Sequence, residues 1–255
     1  MNFAPKLIAL DVDGNNVMSP AVRDSVRAAA EAGIHIVIST GRSMPGVMNT
    51  VEKVGLVGGL AVASNGAVVF SYDPPTVLHA ITFDASEAVQ LVLEQVPDAI
   101  VAVEELGVGY RVNKPFPDGE INGQMKLESV HELIAQPVTR VIIRAPEQSP
   151  ESFSKIVHNL GLEGTNYFIG YTAWLDLAPE GVSKASGLDL VCAELGVAAA
   201  DVLAIGDGMN DLEMIEWAGR GVAMGQAPGE LKVLADDITG SITEDGAAHV
   251  IRSYL

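Results

Sequence analysis

Short apolar runs recur along the first third of the chain, each followed by a polar turn and then by residues with helical character. Residues 7–10 are such a run, ending at Asp11. Ser19-Pro20 then reads as a helix start, a capping hydroxyl followed by proline in the first turn. Residues 21–32 are rich in alanine, and Gly33 is placed to end that helix. Residues 34–38 are a β-branched strand, 44–54 predict a second helix ending near Gly55, and 60–64 predict a third strand. This β-α-β-α-β order predicts an α/β fold, a Rossmann-like parallel sheet covered by helices.

The rhythm changes at Tyr72-Asp73-Pro74-Pro75, which reads as a turn or linker. From 80 to 178 strands and helices mix without βαβ units. Strands are expected at 81–83, 99–103, 138–144 and 174–177, and helices at 86–95 and 150–160. After Pro179 the earlier rhythm returns, with a helix over 183–195, a buried strand over 202–205, a short helix over 212–217 and a strand over 221–224. The expectation is a discontinuous core, 1–79 and 179–255, interrupted by an inserted α+β domain over 80–178.

Composition supports a folded chain. Of 255 residues, 48% are hydrophobic and 19% charged, enough apolar material for a sizeable core. No apolar run approaches the roughly 18–20 residues that span a bilayer. Residues 1–6 lead directly into a strand and do not read as a secretory leader, so the expected location is the cytoplasm. With 33 acidic against 15 basic residues, the formal charge is -18. Such a surface repels nucleic acid and anionic membranes, yet a metal ion and a few local donors can still make a pocket attractive to an anion. Cys192, the single cysteine, permits no intrachain disulfide and reads as a small buried apolar residue. The histidines are scattered without metal-ligand spacing, which argues against zinc.

Four segments carry candidate chemistry, each at the carboxyl end of an expected strand or at a helix start, where open α/β sheets place their sites. In Asp11-Val12-Asp13-Gly14 the two carboxylates are two residues apart, so on a strand they face one way, and a hard cation would relieve their repulsion. A solvated acidic turn is the alternative. A calcium loop is excluded, since the glycine is fourth rather than sixth and position twelve is Val22. In Ser39-Thr40-Gly41-Arg42, a hydroxyl followed by a glycine amide can cradle an anion before a helix, or simply cap it. Lys184 opens a helix and is placed to neutralise a phosphate oxygen or to hold a carboxylate in place, or else simply to be solvated. Gly206-Asp207-Gly208-Met209-Asn210-Asp211 is the strongest signal, with two carboxylates and an amide directly after a buried strand.

In their order and placement, these four segments resemble the motifs of the haloacid dehalogenase-like phosphotransferase superfamily. That pattern is D-x-D-G, a Thr or Ser after the second strand, a Lys, then G-D-x-x-N-D. Ser64-Asn65-Gly66-Ala67, Met224-Gly225-Gln226-Ala227-Pro228, Ala235-Asp236-Asp237-Ile238-Thr239 and Glu244-Asp245-Gly246 extend the resemblance to the Cof-type branch, which carries a large α+β (C2-type) cap. The resemblance implies a Mg²⁺-dependent phosphatase acting on a small phosphorylated metabolite, such as a sugar phosphate, through an aspartyl-phosphate. It implies Asp11 as nucleophile and Asp13 as acid and base. Asp11, Asp13 and Asp207 would be the metal ligands, and Thr40, Gly41, Lys184 and Asn210 the phosphoryl-binding residues. Asp211 would sit behind the metal ligands or orient Lys184, and Asn65 and Arg42 would line the pocket. The partner is then a small metabolite, with neither nucleic acid nor membrane, and the protein a monomer or homodimer.

One departure is visible. Gly14 is followed by Asn15-Asn16-Val17-Met18, so the loop before the first helix is shorter than the family's and lacks its Thr or Ser. A phosphomutase, or a non-catalytic metabolite-binding relative, is the alternative. The altered loop favours the non-catalytic relative, and the retained Asp13 speaks against it.

Overall fold

A computed structural model describes residues 3–12, 18–162, 164–170 and 172–255. In chain order the elements begin with β1 (Leu7–Leu10), α1 (Pro20–Glu31), β2 (His35–Ser39), α2 (Met44–Val54), β3 (Leu60–Ala63), β4 (Val68–Tyr72) and β5 (Pro75–Ala80). There follow α3 (Ser86–Gln95), β6 (Ile100–Glu105), β7 (Gly109–Val112), β8 (Gln124–Leu127), α4 (Val130–Leu133), β9 (Val141–Arg144), α5 (Pro150–Leu160), β10 (Thr165–Gly170) and β11 (Trp174–Pro179). The chain ends with α6 (Lys184–Leu195), β12 (Val202–Gly206), α7 (Leu212–Trp217), β13 (Arg220–Ala223), α8 (Gly229–Leu234), β14 (Asp237–Ile238) and α9 (Gly246–Arg252).

The chain divides into two compact units. The first comprises Met1–Arg42, Val47–His79 and Ser183–Leu255, and the second Ser43–Gly46 and Ala80–Val182. Among the described residues, no helix is long and apolar enough to cross a membrane.

The first unit is built on a sheet of order β14-β13-β12-β1-β2-β3-β4-β5. From β14 to β3 the pairings are parallel. All four residues of β1 are buried, because a central parallel strand is covered on both faces and reads as an unbroken apolar run. Beyond the expected parallel strands, β4 pairs antiparallel with β3, and β5 extends the sheet further. The turn Ser64–Gly66 doubles the chain back at once, so no crossover helix is needed there. Helix starts follow their caps. The Ser19 hydroxyl accepts from Val22 N before Pro20, and Ser183 caps α6 with Ser186 in a reciprocal pair. Gly196 ends α6 in the left-handed conformation, where a Cβ would be costly.

The sheet sets the position of the site. From β1 the chain moves to one side, into β2 and β3, whereas β12 leads to the other side, into β13. The order therefore reverses between β1 and β12, and the carboxyl ends of these two strands mark the switch point at which open α/β sheets usually bind ligands.

The second unit has a sheet of order β10-β11-β9-β6-β7-β8, antiparallel except for the parallel pair β7 and β8. Strand alternation divides its core. Val101, Val103, Val141 and Ile143 pack with Val89 and Val92 of α3 and with Phe153 and Val157 of α5. Ile100, Ala102, Tyr110 and Ile142 form a separate cluster from the opposite sheet face, with Phe116. The strand expected at 81–83 reduces to an isolated bridge between Phe83 and Val138.

Candidate active site

The residues singled out from the sequence converge within the first unit, with one exception: Asp13 and the shortened loop over 14–17 lie outside the described residues. Asp11 is the first residue beyond β1, and its amide donates to Ile205 O at 3.0 Å, extending the β1–β12 ladder. Lys184 is the first residue of α6 and its side chain is fully buried. Its Nζ donates to Asp11 Oδ1 at 2.7 Å and to Asp211 Oδ1 at 2.6 Å. A buried ammonium costs several kcal/mol unless paired, and these two carboxylates provide the pairing. Asp211 Oδ2 in turn accepts from the amides of Asp207 and Gly208, both at 2.8 Å. Asp211 thus fastens the loop after β12 to the lysine. Gly206 is required for this fold-back, since a Cβ there would lie 2.6 Å from the Asp211 carboxylate.

Thr40 follows β2 and is fully buried. Its Oγ1 accepts from Arg42 N at 3.2 Å and donates to Val12 O at 3.2 Å, which ties the loop after β2 to the loop after β1. Asn210 Nδ2 donates to Asn65 Oδ1 at 3.0 Å, and the Asn65 side chain lies against Gly41. Arg42 turns its Nη1 to Thr50 Oγ1 at 3.5 Å.

Asp11, Asp207 and Asp211 each offer a carboxylate oxygen within 4.8 Å of the others. Three carboxylates against one lysine leave the group net negative, and all the donors are hard oxygens, the set that Mg²⁺ prefers. The residues therefore fit a divalent cation. Asp211 already serves Lys184 and two amides, which leaves Asp11 and Asp207 as the carboxylates that could hold such an ion. Asp207 is steadied by Gln226, whose Nε2 donates to Asp207 Oδ2 at 2.6 Å while its Oε1 accepts from Ile242 N at 2.9 Å. Sequence reasoning missed this role of Gln226. Its only signal was membership of the Met224–Pro228 segment, which carries no residue type typical of catalysis. A cavity of about 120 Å³ opens beside Asp11 and Asp207, walled by Val12, Met224, Gln226 and Asp245. Cys192 is buried away from these groups, and burial pushes its thiol up to about 11, with Asp189 adding to the effect. It has the character of an inert packing residue.

A sequence profile of haloacid dehalogenase-like hydrolases matches residues 8–251. The chain belongs to that family. The enzyme class expected from the sequence, phosphoric monoester hydrolase, agrees with this membership. Curated relatives match it along almost the whole length. The pyridoxal phosphate phosphatase YbhA of Escherichia coli is 30% identical over 98% of this chain and 98% of its own. The stress response protein YhaX of Bacillus subtilis is 29% identical over 99% of this chain and 94% of its own. Among solved structures, the haloacid dehalogenase superfamily phosphatase BT1666 of Bacteroides thetaiotaomicron superposes with a TM-score of 0.78 at 25% identity, covering 98% of this chain and 95% of that one.

Proposed function

We propose that this haloacid dehalogenase-like hydrolase is a Mg²⁺-dependent phosphatase of small phosphorylated metabolites, acting through an aspartyl-phosphate on Asp11. The observation that carries this reading is the buried Lys184 held between Asp11 and Asp211, with the Asp207 carboxylate beside them. A lysine so placed pairs with the Asp11 carboxylate and fixes its direction, as a nucleophile needs.

Asp11 attacks phosphorus, the bond to the leaving oxygen breaks, and Asp13, assigned by its spacing from Asp11, gives that oxygen a proton. Asp13 then takes a proton from water as the water attacks the phosphorus, which releases phosphate and restores Asp11. Acid–base help of this kind contributes about 10²–10⁴-fold. Thr40, the Gly41 amide, Lys184 and Asn210 bind the phosphoryl oxygens and stabilise the charge they gain. Asp11, the Asp13 carbonyl and Asp207 would hold Mg²⁺, which when bound neutralises charge on the transferring group. The second unit, by its position in the chain, takes the part of the family's cap and selects the substrate. A sugar phosphate or a similar phosphomonoester is the expected class, and the pyridoxal phosphate named for YbhA belongs in the same screen.

The test is release of phosphate from 4-nitrophenyl phosphate. Asp11→Asn, nearly isosteric but not anionic, should reduce turnover to the uncatalysed level while circular dichroism stays unchanged. Chelation should abolish wild-type turnover, Mg²⁺ should restore it, and excess Ca²⁺ should inhibit, because calcium takes 6–8 ligands at longer distances. Near-wild-type turnover in Asp11→Asn or in chelator would sink the reading.

A further inference from the structure

We infer that Asn65 is a positioning residue for Asn210, and that the left-handed turn Ser64–Gly66 is kept in order to hold it there. The inference rests on the phosphoryl-binding role proposed for Asn210.

Three consecutive residues have positive φ: Ser64 at 53°, Asn65 at 53° and Gly66 at 105°. Glycine adopts this region without strain and asparagine tolerates it, but serine does so at a cost. Such strain persists only where surrounding structure over-determines it, and it gathers at functional sites. Here the surroundings can be named. The Ser64 amide donates to Arg42 O at 2.8 Å and the Asn65 amide to Thr40 O at 3.1 Å, so the turn is bound to the loop after β2. Gly66 presses on the start of α6, where an added Cβ would stand 1.9 Å from Ser183 O. The backbone of the turn therefore touches both the loop that carries Thr40 and the Ser183 cap beside Lys184.

The Asn65 side chain adds a third link. The residue is 2% exposed, and its Oδ1 accepts from Asn210 Nδ2 at 3.0 Å. That same oxygen is 3.0 Å from where a Cβ at Gly41 would lie. On the other side of Asn210, its Oδ1 sits 2.4 Å from a Cβ position at Gly208. The Asn210 carboxamide is thus held through its nitrogen by Asn65, while its oxygen lies on the side where Gly208 leaves room for it. Turning the amide over would set its oxygen against Asn65 Oδ1, so the Asn65 acceptor favours the orientation whose second N–H can point toward a phosphoryl group. A merely structural Asn65 would need only shape, whereas orientation needs the acceptor oxygen.

The experiment is a double-mutant cycle of Asn65→Gly and Asn210→Ala. Glycine keeps the turn's φ and removes only the carboxamide. The readouts are the dissociation constant of inorganic phosphate in Mg²⁺ by calorimetry, and kcat and KM for 4-nitrophenyl phosphate. Asn65→Gly should keep the wild-type thermal midpoint yet weaken phosphate about tenfold, the value of one hydrogen bond to a charged system. In Asn210→Ala the further removal of the Asn65 side chain should change nothing, since the partner it orients is gone. Wild-type phosphate affinity in Asn65→Gly, or losses that multiply in the double variant, would overturn the inference. Should Asn65→Gly fail to fold, Asn65→Ser, whose hydroxyl is too short to reach Asn210, is judged by the same two criteria. A wild-type protein that binds phosphate without hydrolysing the aryl ester refutes the proposed function and leaves the binding cycle to decide this inference. One that binds no phosphate refutes both.

Discussion

Each unit buries a cation among carboxylates, and the two clusters are built differently. In the first unit, Lys184 lies at a helix start and reaches Asp11 and Asp211, which stand on the loops after β1 and β12. In the second, Arg140 lies just before β9, on the sheet. Its Nε and Nη2 take both oxygens of Asp176 at 2.5 and 2.8 Å, and its Nη1 donates to Tyr110 Oη at 2.9 Å. Trp174 Nε1 adds a bond to Asp176 Oδ2 at 3.0 Å, and Thr139 beside it donates to Glu104 at 2.9 Å. Burial alone would lower the arginine's pKa, but Asp176 and Tyr110 outweigh it and hold the guanidinium charged well above its usual value. A planar fork locked to one carboxylate is a fixed structural joint. A lysine is a compact charge on a flexible stem, able to exchange one oxygen partner for another. On the function proposed above, the difference is that between a cluster finished within the fold and one arranged to receive a ligand.

The largest effect should come from applying the same change to both. Lys184→Met is expected to lower turnover of 4-nitrophenyl phosphate by at least about a thousandfold, since it removes a charged donor at the reacting group. The two carboxylates it leaves behind should be relieved by Mg²⁺, so added Mg²⁺ should raise the variant's thermal midpoint. Arg140→Met should cost about 3–5 kcal/mol in urea unfolding, the usual penalty for stranding a buried charge, and added Mg²⁺ should not restore it. Pairing it with Asp176→Leu should recover most of the loss. If Mg²⁺ rescues both single variants alike, the contrast between the clusters is wrong.

A smaller effect is expected at the turn that abuts α6. Gly66→Ala forces a side chain into positive φ and against Ser183 O, which should cost about 1–3 kcal/mol of stability from strain and also raise KM by displacing the start of the lysine-bearing helix. Loss of stability with KM unchanged would separate the turn from the site.

The smallest effect is a pH slope. Burial pushes the Tyr110 phenol up to about 12, against the lowering influence of Arg140. The unfolded chain releases this proton near pH 10 and the folded one later, so the stabilisation is complete below pH 10 and declines as pH rises toward 12. The decline should be about 1.4 kcal/mol per pH unit. Urea titrations between pH 9 and 12 should show that component in wild type and its absence in Tyr110→Phe.

Much of the first unit was legible because its strands are short apolar runs closed by punctuating residues. The helix over 44–54 and the short helix over 212–217 were read without error, and β1 was read from 7 to 10. What escaped is informative. β5 and β8 are exposed along almost their whole length, so neither shows the alternation that marks a strand half-buried on one face. β10 is half-buried throughout and blurs the pattern in the same way. In the site, Asp11, Thr40, Gly41, Lys184, Asp207 and Asn210 could be named because each residue type suggests its own chemistry. The bond between Gln226 and Asp207, and that between Asn65 and Asn210, join segments far apart in sequence. Only the fold brings such pairs together. The Arg140 cluster was not foreseen for a related reason: an arginine at the start of a strand reads as solvated until its carboxylate partner on a neighbouring strand is known.

The pairing of β1 with β12, Leu7 opposite Val202, has a consequence for how the polypeptide is made. The strand at the centre of the sheet is synthesised well before one of its two neighbours, with the whole inserted unit between them. Until then β1 offers an open apolar edge of the kind that recruits other chains. The inserted unit, complete within residues 80–182 apart from one short segment, emerges whole before that edge is closed. A ribosome stalled between the two events would therefore expose a finished domain joined to a half-built sheet, the species on which chaperone binding and aggregation should concentrate.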